Sequence, residues 1–277
     1  MLNQALDDWI YNSPSWLSST VFVLAGIVAS GLILVVLTRL VTHETRHLHN
    51  EFTVFTVTNI AVLYAVLLAF IAIVAWEDLL KASESVEKEA TLVEALYLDA
   101  QGIEDKGIVS ELGISLRHYV ETVIDREWPA QRAGHVPDAA ERDLHRIRTT
   151  LAAFKPQTSN DIILKEAMLN LLNDLLNAYR DRRVAAGGHI PGTVWWVIGF
   201  HGVLIVGLTA FLGMHSLLVH FMLLAAFTTG MVIVVTLIVQ LDYLFRGEVS
   251  ISVEPFEHLL SELGPQPGPN SSTGAVP

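Results

Sequence analysis

Apolar residues in this chain gather into four long runs, at residues 17–40, 54–76, 193–213 and 217–241, separated by stretches of mixed polarity. A hydrocarbon layer roughly 30 Å thick takes about 20 helical residues to cross, so each run predicts a membrane-spanning helix. The first run is too long for a signal peptide and follows Asp7 and Asp8 instead of a basic flank, so it is expected to be retained. Only Met214, His215 and Ser216 separate the last two runs, which predicts an adjacent antiparallel pair. The fold class expected is an all-α membrane protein: four transmembrane helices in two hairpins, with an extramembrane helical bundle inserted between them.

The polar stretches carry their own periodicity. Beyond Trp76, Leu79, Ala82, Val86, Ala90, Val93, Tyr97 and Ala100 recur at heptad-like spacing, so the second span is expected to continue into a stalk. Gly102 and Gly107 bracket a break. Leu112, Leu116, Tyr119 and Val123 then predict a helix ending at Trp128-Pro129, because proline interrupts helices. A further helix is expected over about 138–154, stopped by Pro156. The next begins near Ser159 to Asp161 and carries a stripe of Leu164, Met168, Leu171, Leu175 and Ala178. Six segments follow from this: an interfacial N-terminal segment at 1–16, where Trp9, Tyr11 and Trp16 suit a headgroup region; a first hairpin at 17–76; a helical domain with its stalk at 77–190; a second hairpin at 191–241; a juxtamembrane segment at 242–263; and a disordered tail at 264–277, with the sequence GPQPGPNSSTGAVP.

Composition agrees with a membrane setting, at 52% hydrophobic and 17% charged residues. The net charge of −12 without a basic cluster argues against a nucleic-acid partner, and the absence of cysteine excludes disulfides and thiolate chemistry. Orientation rests on two competing charge counts. Arg39 and Arg46 flank the short loop after the first span, whereas Arg180, Arg182, Arg183 and Arg246 lie on the opposite side. Short loops weigh more than long domains, so both termini and the central domain are expected outside the cytoplasm of the cell membrane.

The second span has two distinct faces. Ala61, Ala65, Ala69 and Ala72 form a small-residue ridge expected to pack against another helix. Roughly opposite lie Thr56, Asn59, Leu63, Val66, Phe70 and Ile73, with Glu77 beyond them. Lining a pore, this face would supply a polar mouth at Thr56 and Asn59, an apolar constriction from Leu63 to Ile73, and an outer charge at Glu77. Facing lipid, the same residues would be ordinary membrane surface. On the stalk, Glu84, Glu87 and Glu94 continue the side of Glu77; this is either a solvated face or, in a symmetric oligomer, an acidic vestibule.

Three other features carry possible chemistry. His43-Glu44-Thr45-Arg46-His47 fits the H-E-x-x-H pattern of zinc hydrolases, in which two histidines one turn apart hold the metal and the glutamate activates water. No third ligand is evident, Asp242 being a distant possibility, and the alternative is a polar turn among headgroups. His201 and His220 fall within spans three and four, as proton-accepting groups or as hydrogen-bonded links between helices. No catalytic residue, metal site or cofactor is assigned.

The segment from Asn50 to Asp99, with its A-V-L-Y-A-V-L-L-A-F run, Trp76-Glu77 and Glu94-Ala95 before Leu96-Tyr97, resembles the bestrophin-like bacterial membrane family. Arg117-His118-Tyr119 through Glu127-Trp128-Pro129 agrees, as does the C-terminal run from Leu241-Asp242 through Phe245-Arg246-Gly247 and Val249-Ser250-Ile251-Ser252 to Glu254-Pro255-Phe256. Departures are local: the family usually has proline where Leu244 stands, and commonly where Val253 stands. The resemblance implies two spans on either side of a helical region and, through the likeness to bestrophins, a homo-oligomeric ion channel lined by the second span. Bestrophins conduct anions, whereas the acidic stalk favours cations. The expected function is therefore an oligomeric ion channel whose partners are further copies of itself, the lipid bilayer and inorganic ions. The alternatives are a membrane-anchored sensor or assembly protein without transport, and a zinc-dependent membrane hydrolase using His43, Glu44 and His47.

Overall fold

The computed structural model describes residues 9, 11, 13–188 and 190–263, and among these every regular element is helical. In chain order they are α1 (Ser15–Leu40), α2 (His43–Leu48), α3 (Asn50–Gln101), α4 (Lys106–Thr122), a π-helical turn (Val123–Glu127), α5 (Trp128–Arg132), α6 (Glu141–Ala153), α7 (Ser159–Ala185), α8 (Gly192–Ala210), α9 (Leu217–Asp242) and α10 (Glu254–Glu262). Helices α1, α3, α8 and α9 are long and apolar enough to cross a membrane. The tail at 264–277 and most of the N-terminal segment lie outside the described residues. The chain divides into two compact units, Met1–Leu79 with Gly188–Ser250, and Leu80–Gly187 with Ile251–Pro277.

In the first unit, α9 packs most extensively along α1, more than along α8, its neighbour in sequence. Small residues make this possible. A Cβ on Gly26 would meet Val232 at 3.0 Å and Thr228 at 3.2 Å, and one on Gly31 would meet Phe221 at 2.9 Å. With the buried Ser30 they form a small face that lets the two backbones approach. Helix α3 joins this unit through Tyr64 and Leu68, which cluster with Ile198, Ile205 and Ile238. Within the single chain the alanine ridge is only partly covered: Ala72 packs against this cluster, Ala65 and Ala69 are exposed, and the buried face of α3 runs through Tyr64, Leu68 and Ala75. Bulky side chains bury more area and take the core position. Tyr11, expected among headgroups, packs against the chain's own residues. It is buried, donates to the Val239 carbonyl at 2.9 Å and lies under the Arg246 guanidinium at 4.7 Å.

The turn between α8 and α9 is stitched to the start of α3. Asn50 donates to the Gly213 carbonyl at 3.1 Å and accepts from its N–H at 2.8 Å. A Cβ at Gly213 would lie 2.4 Å from the His47 nitrogen, so only glycine fits.

The second unit begins within α3, which is unbroken for 52 residues, or about 78 Å at 1.5 Å per residue. The stalk helix expected from heptad spacing is thus present to Gln101. Trp128-Pro129 does not end a helix, however. The chain passes through the π turn, and Pro129 falls in the first turn of α5, where a missing N–H costs least. Helix α7 starts at Ser159, as expected, with its cap one residue before the expected capping residues. Thr158 is the N-cap and forms a capping box with Asp161. Burial tends to raise the pKa of Asp161, but the backbone N–H groups of Glu104 and Gln157, with Thr158, hold it below the usual carboxylate value.

Asn50→Ala leaves both backbone groups of Gly213 unpaired and is expected to cost about 1–3 kcal/mol. Gly213→Ala is expected to cost a similar ~1–3 kcal/mol by overpacking. Thermal unfolding in detergent, with His49→Ala as a neighbouring exposed control, checks both.

Candidate functional site

A period of 3.6 residues sets Thr56, Asn59, Leu63, Val66, Phe70, Ile73 and Glu77 on one side of α3, roughly opposite Tyr64 and Leu68. In the single chain this side is open. Leu63 is 68% exposed, Phe70 65%, Ile73 55% and Val66 49%. Asn59 is exposed and Thr56 half-buried, and both spend their polar groups on their own helix, donating to the Phe55 and Phe52 carbonyls at 2.7 and 2.8 Å. Further along α3, Glu84 and Glu87 are exposed and Glu94 half-buried. The alanine ridge borders a separate cavity of about 530 Å³ within the same unit, lined by Ala61, Ala65, Ala69, Phe227, Gly230 and Val234.

The H-E-x-x-H residues sit on α2, with the His43 and His47 rings 5.8 Å apart. The fold adds His215 from the α8–α9 turn, 5.0 Å from His43 and 5.6 Å from His47. Sequence spacing gave no sign of this third ring. Among the described residues, no group of three His, Cys, Asp or Glu side chains is placed to hold a metal ion. Asp242 lies elsewhere, accepting the Ile190 N–H at 2.8 Å where α8 begins. His220 bonds the Thr209 carbonyl of the neighbouring α8 at 3.0 Å. His201 lies 3.0 Å from the Val197 carbonyl of its own helix and stacks on Tyr64.

The most tightly built polar group lies in the second unit and was not singled out from sequence. Arg182 on α7 is fully buried. Its Nε donates to Glu89 Oε2 at 2.7 Å, and its Nη2 to Glu89 Oε1 at 3.1 Å and Glu127 Oε2 at 2.8 Å. Both glutamates are themselves fully buried. Two further phenols complete the set: Tyr119 donates to Glu89 at 2.5 Å and Tyr179 to Glu127 at 3.1 Å, while the Ala140 N–H donates to Glu127 at 2.8 Å. Nη1 has no hydrogen-bond partner; the guanidinium lies 5.4–6.0 Å from the ring centroids of Tyr179, Phe256 and Trp128. Burial works against the charge on Arg182, but Glu89, Tyr119 and Glu127 hold its pKa above the usual value. Burial, then the charge of Glu89, raises Tyr119 well above 10.0; burial, then Glu127, raises Tyr179.

A sequence signal for this cluster does exist. Ala82, Val86, Glu89, Val93, Leu96 and Ala100 alternate at four and three residues, as do Met168, Leu172, Leu175, Tyr179 and Arg182, and all are buried. Each helix thus has one charge at a core position of a heptad.

An all-helical membrane protein is the class these features define. The chain belongs to the Bestrophin-like family, whose domain matches residues 24–256. Two crystal structures of point variants of a bacterial bestrophin homologue from Klebsiella pneumoniae resemble it. The first has a TM-score of 0.67 at 11% identity, over 87% of this chain and 97% of the other. The second has a TM-score of 0.63 at 12% identity, over 87% and 98%. A variant of a structure described as a membrane protein matches at a TM-score of 0.65 and 10% identity, over 87% and 97%. At such identities the likeness is one of fold. No curated protein matches the chain.

Arg182→Met strands two buried carboxylates and is expected to destabilise the protein by about 3–5 kcal/mol, whereas adding Glu89→Leu to it should cost less than the two single changes summed. Unfolding of the four variants of that cycle in detergent measures the coupling. The raised phenols also set an alkaline limit. Their contribution is complete below pH 10.0, the usual tyrosine value, and is lost as pH rises through the higher folded-state values. Tyr119→Phe should therefore lose less stability than wild type on passing above pH 10.0, as read from melting temperature against pH.

Proposed function

We propose that the chain crosses the membrane four times, as two hairpins with the helical domain between them outside the bilayer. It assembles as a homo-oligomer and conducts ions through a pore lined by α3. Thr56 and Asn59 form the polar mouth. Leu63, Val66, Phe70 and Ile73 form an apolar constriction that gates by excluding water. Glu77 follows at the outer end, and Glu84, Glu87 and Glu94 make an acidic vestibule.

One observation carries this reading: the single chain leaves the Leu63–Phe70 side of α3 open while the opposite side packs on its own core. In the most apolar 18-residue windows only 11% of α1 and of α3 is buried, against 28% of α8 and 22% of α9. The first two spans thus hold the most surface for lipid or for further copies. The small-residue cavity at Ala65, Ala69 and Gly230 suits close approach of a helix from a neighbouring copy. Membership of the family and the likeness to bestrophin homologues support the same assignment.

Ion flux through purified protein in liposomes tests it. Phe70→Ala should raise flux by opening the constriction, and Asn59→Leu should lower it by drying the mouth. Both side chains are exposed in the single chain, so stability should change by no more than about 0.5 kcal/mol. Absence of flux at every pH and divalent-ion condition overturns the reading.

A further inference from the structure

Within the second unit, α4, the π turn and α6 border a partly open cavity of about 180 Å³ that plays no part in the proposed pore. Its lining includes His118 and Thr122 from α4, Arg126 from the π turn, and Arg142, Asp143 and Arg146 from α6. The chain has 29 acidic side chains against 17 basic ones, so an arginine has carboxylates in excess to pair with. Arg117 pairs with Glu121 at 2.9 Å, Arg183 with Glu141 at 3.3 Å, and Arg182 with two glutamates. Arg126, Arg142 and Arg146 are exposed and form no ion pair or hydrogen bond among the described residues, and all three converge on one cleft.

The single carboxylate in the lining is already engaged. Asp143 is 5% exposed and accepts from the Thr122 hydroxyl at 2.8 Å, with His118 Nε2 3.6 Å from its other oxygen. Against three guanidinium groups it leaves two positive charges in the lining, before any proton on His118. Arg142 and Arg146 stand one turn apart on the same face of α6. Arg126 comes from the π turn that also sends Glu127 into the buried Arg182 cluster. π turns within helices frequently mark functional positions.

We infer that this cavity is a binding site for a doubly charged oxyanion of the phosphate type, held by Arg126, Arg142 and Arg146. Guanidinium groups match tetrahedral oxyanions with paired N–H donors, and two net positive charges balance a dianion. The cavity is smaller than the roughly 300–1,000 Å³ of sites for drug-sized ligands, which favours a single phosphate group over a whole nucleotide. That group arrives either as free phosphate or as the phosphomonoester headgroup of a lipid. The inference is independent of ion conduction.

Calorimetric titration of the full chain tests it, at constant ionic strength with chloride as background anion. One arm uses inorganic phosphate with protein in detergent; the other compares nanodiscs with and without phosphatidate by thermal unfolding. Saturable phosphate binding that weakens about tenfold or more in Arg142→Gln/Arg146→Gln supports the site with a soluble ligand. Stabilisation by phosphatidate alone, lost in the same variant, supports it with a headgroup ligand. Arg132→Gln/Arg148→Gln removes the same charge from two likewise exposed arginines that do not line the cavity and should leave either signal unchanged. Arg126→Gln provides a second lining variant, on a separate element. No signal in either arm, or a signal equally reduced by the control variant, overturns the inference.

Discussion

The buried guanidinium of Arg182 is the constraint around which the second unit is organised. A guanidinium does not give up its proton in a protein, so a fully buried one must be matched where it stands. Glu89 from α3 and Glu127 from the π turn supply that match, and Tyr119 and Tyr179 fix the carboxylates in turn. The rings of Trp128 and Phe256 lie 6.0 and 5.8 Å from the guanidinium, which brings helix α10 into the same cluster. Four stretches of the chain, α3, the run from α4 through α5, α7 and α10, are thereby held to a single arrangement, because any displacement would leave a charge in the interior without its partner. The π turn belongs to this arrangement. It sets Glu127 beside Arg182 and Arg126 at the neighbouring cavity, so two charged sites of opposite character share one local distortion.

The first unit obeys a different constraint. Its long helices satisfy their backbone groups internally, as a hydrocarbon environment requires, and need no large shared core. Small residues at Gly26, Ser30 and Gly31 bring α1 and α9 together, while Asn50 and Gly213 lock the turns at one end. Long apolar sides of both α1 and α3 stay open, and the proposed function rests on the use of the α3 surface.

The sequence made the long-range apolar pattern legible. Spans expected at 17–40 and 217–241 correspond to Ser15–Leu40 and Leu217–Asp242, and the stalk continues to Gln101 as its heptads imply. Side-chain partnership was harder to read. Periodicity assigned Leu171 to the core of α7 with Met168, Leu175 and Ala178; those three are buried, but Leu172 takes the place of Leu171, which is only half-buried. Glu89 was not singled out, although its position in the heptad is that of a core residue. The gathering of His215 with His43 and His47, and of Arg126 with Arg142 and Arg146, depends on how separate helices are set against one another. Spacing along one helix carries no trace of it. The proline at 129 misled because its effect depends on the turn before it.

Glu89 and Arg182 are separated by 93 residues, and that interval is also a delay. At about 5–20 residues per second, the ribosome finishes Glu89 roughly 5–19 s before it supplies the arginine that neutralises it. During this time the far end of α3 presents a carboxylate on what will become its interior face, so that face stays wet until α7 arrives. The helix can form early, but the unit around it closes late: α7 brings the neutralising charge, and the cluster is complete only when α10 adds Phe256.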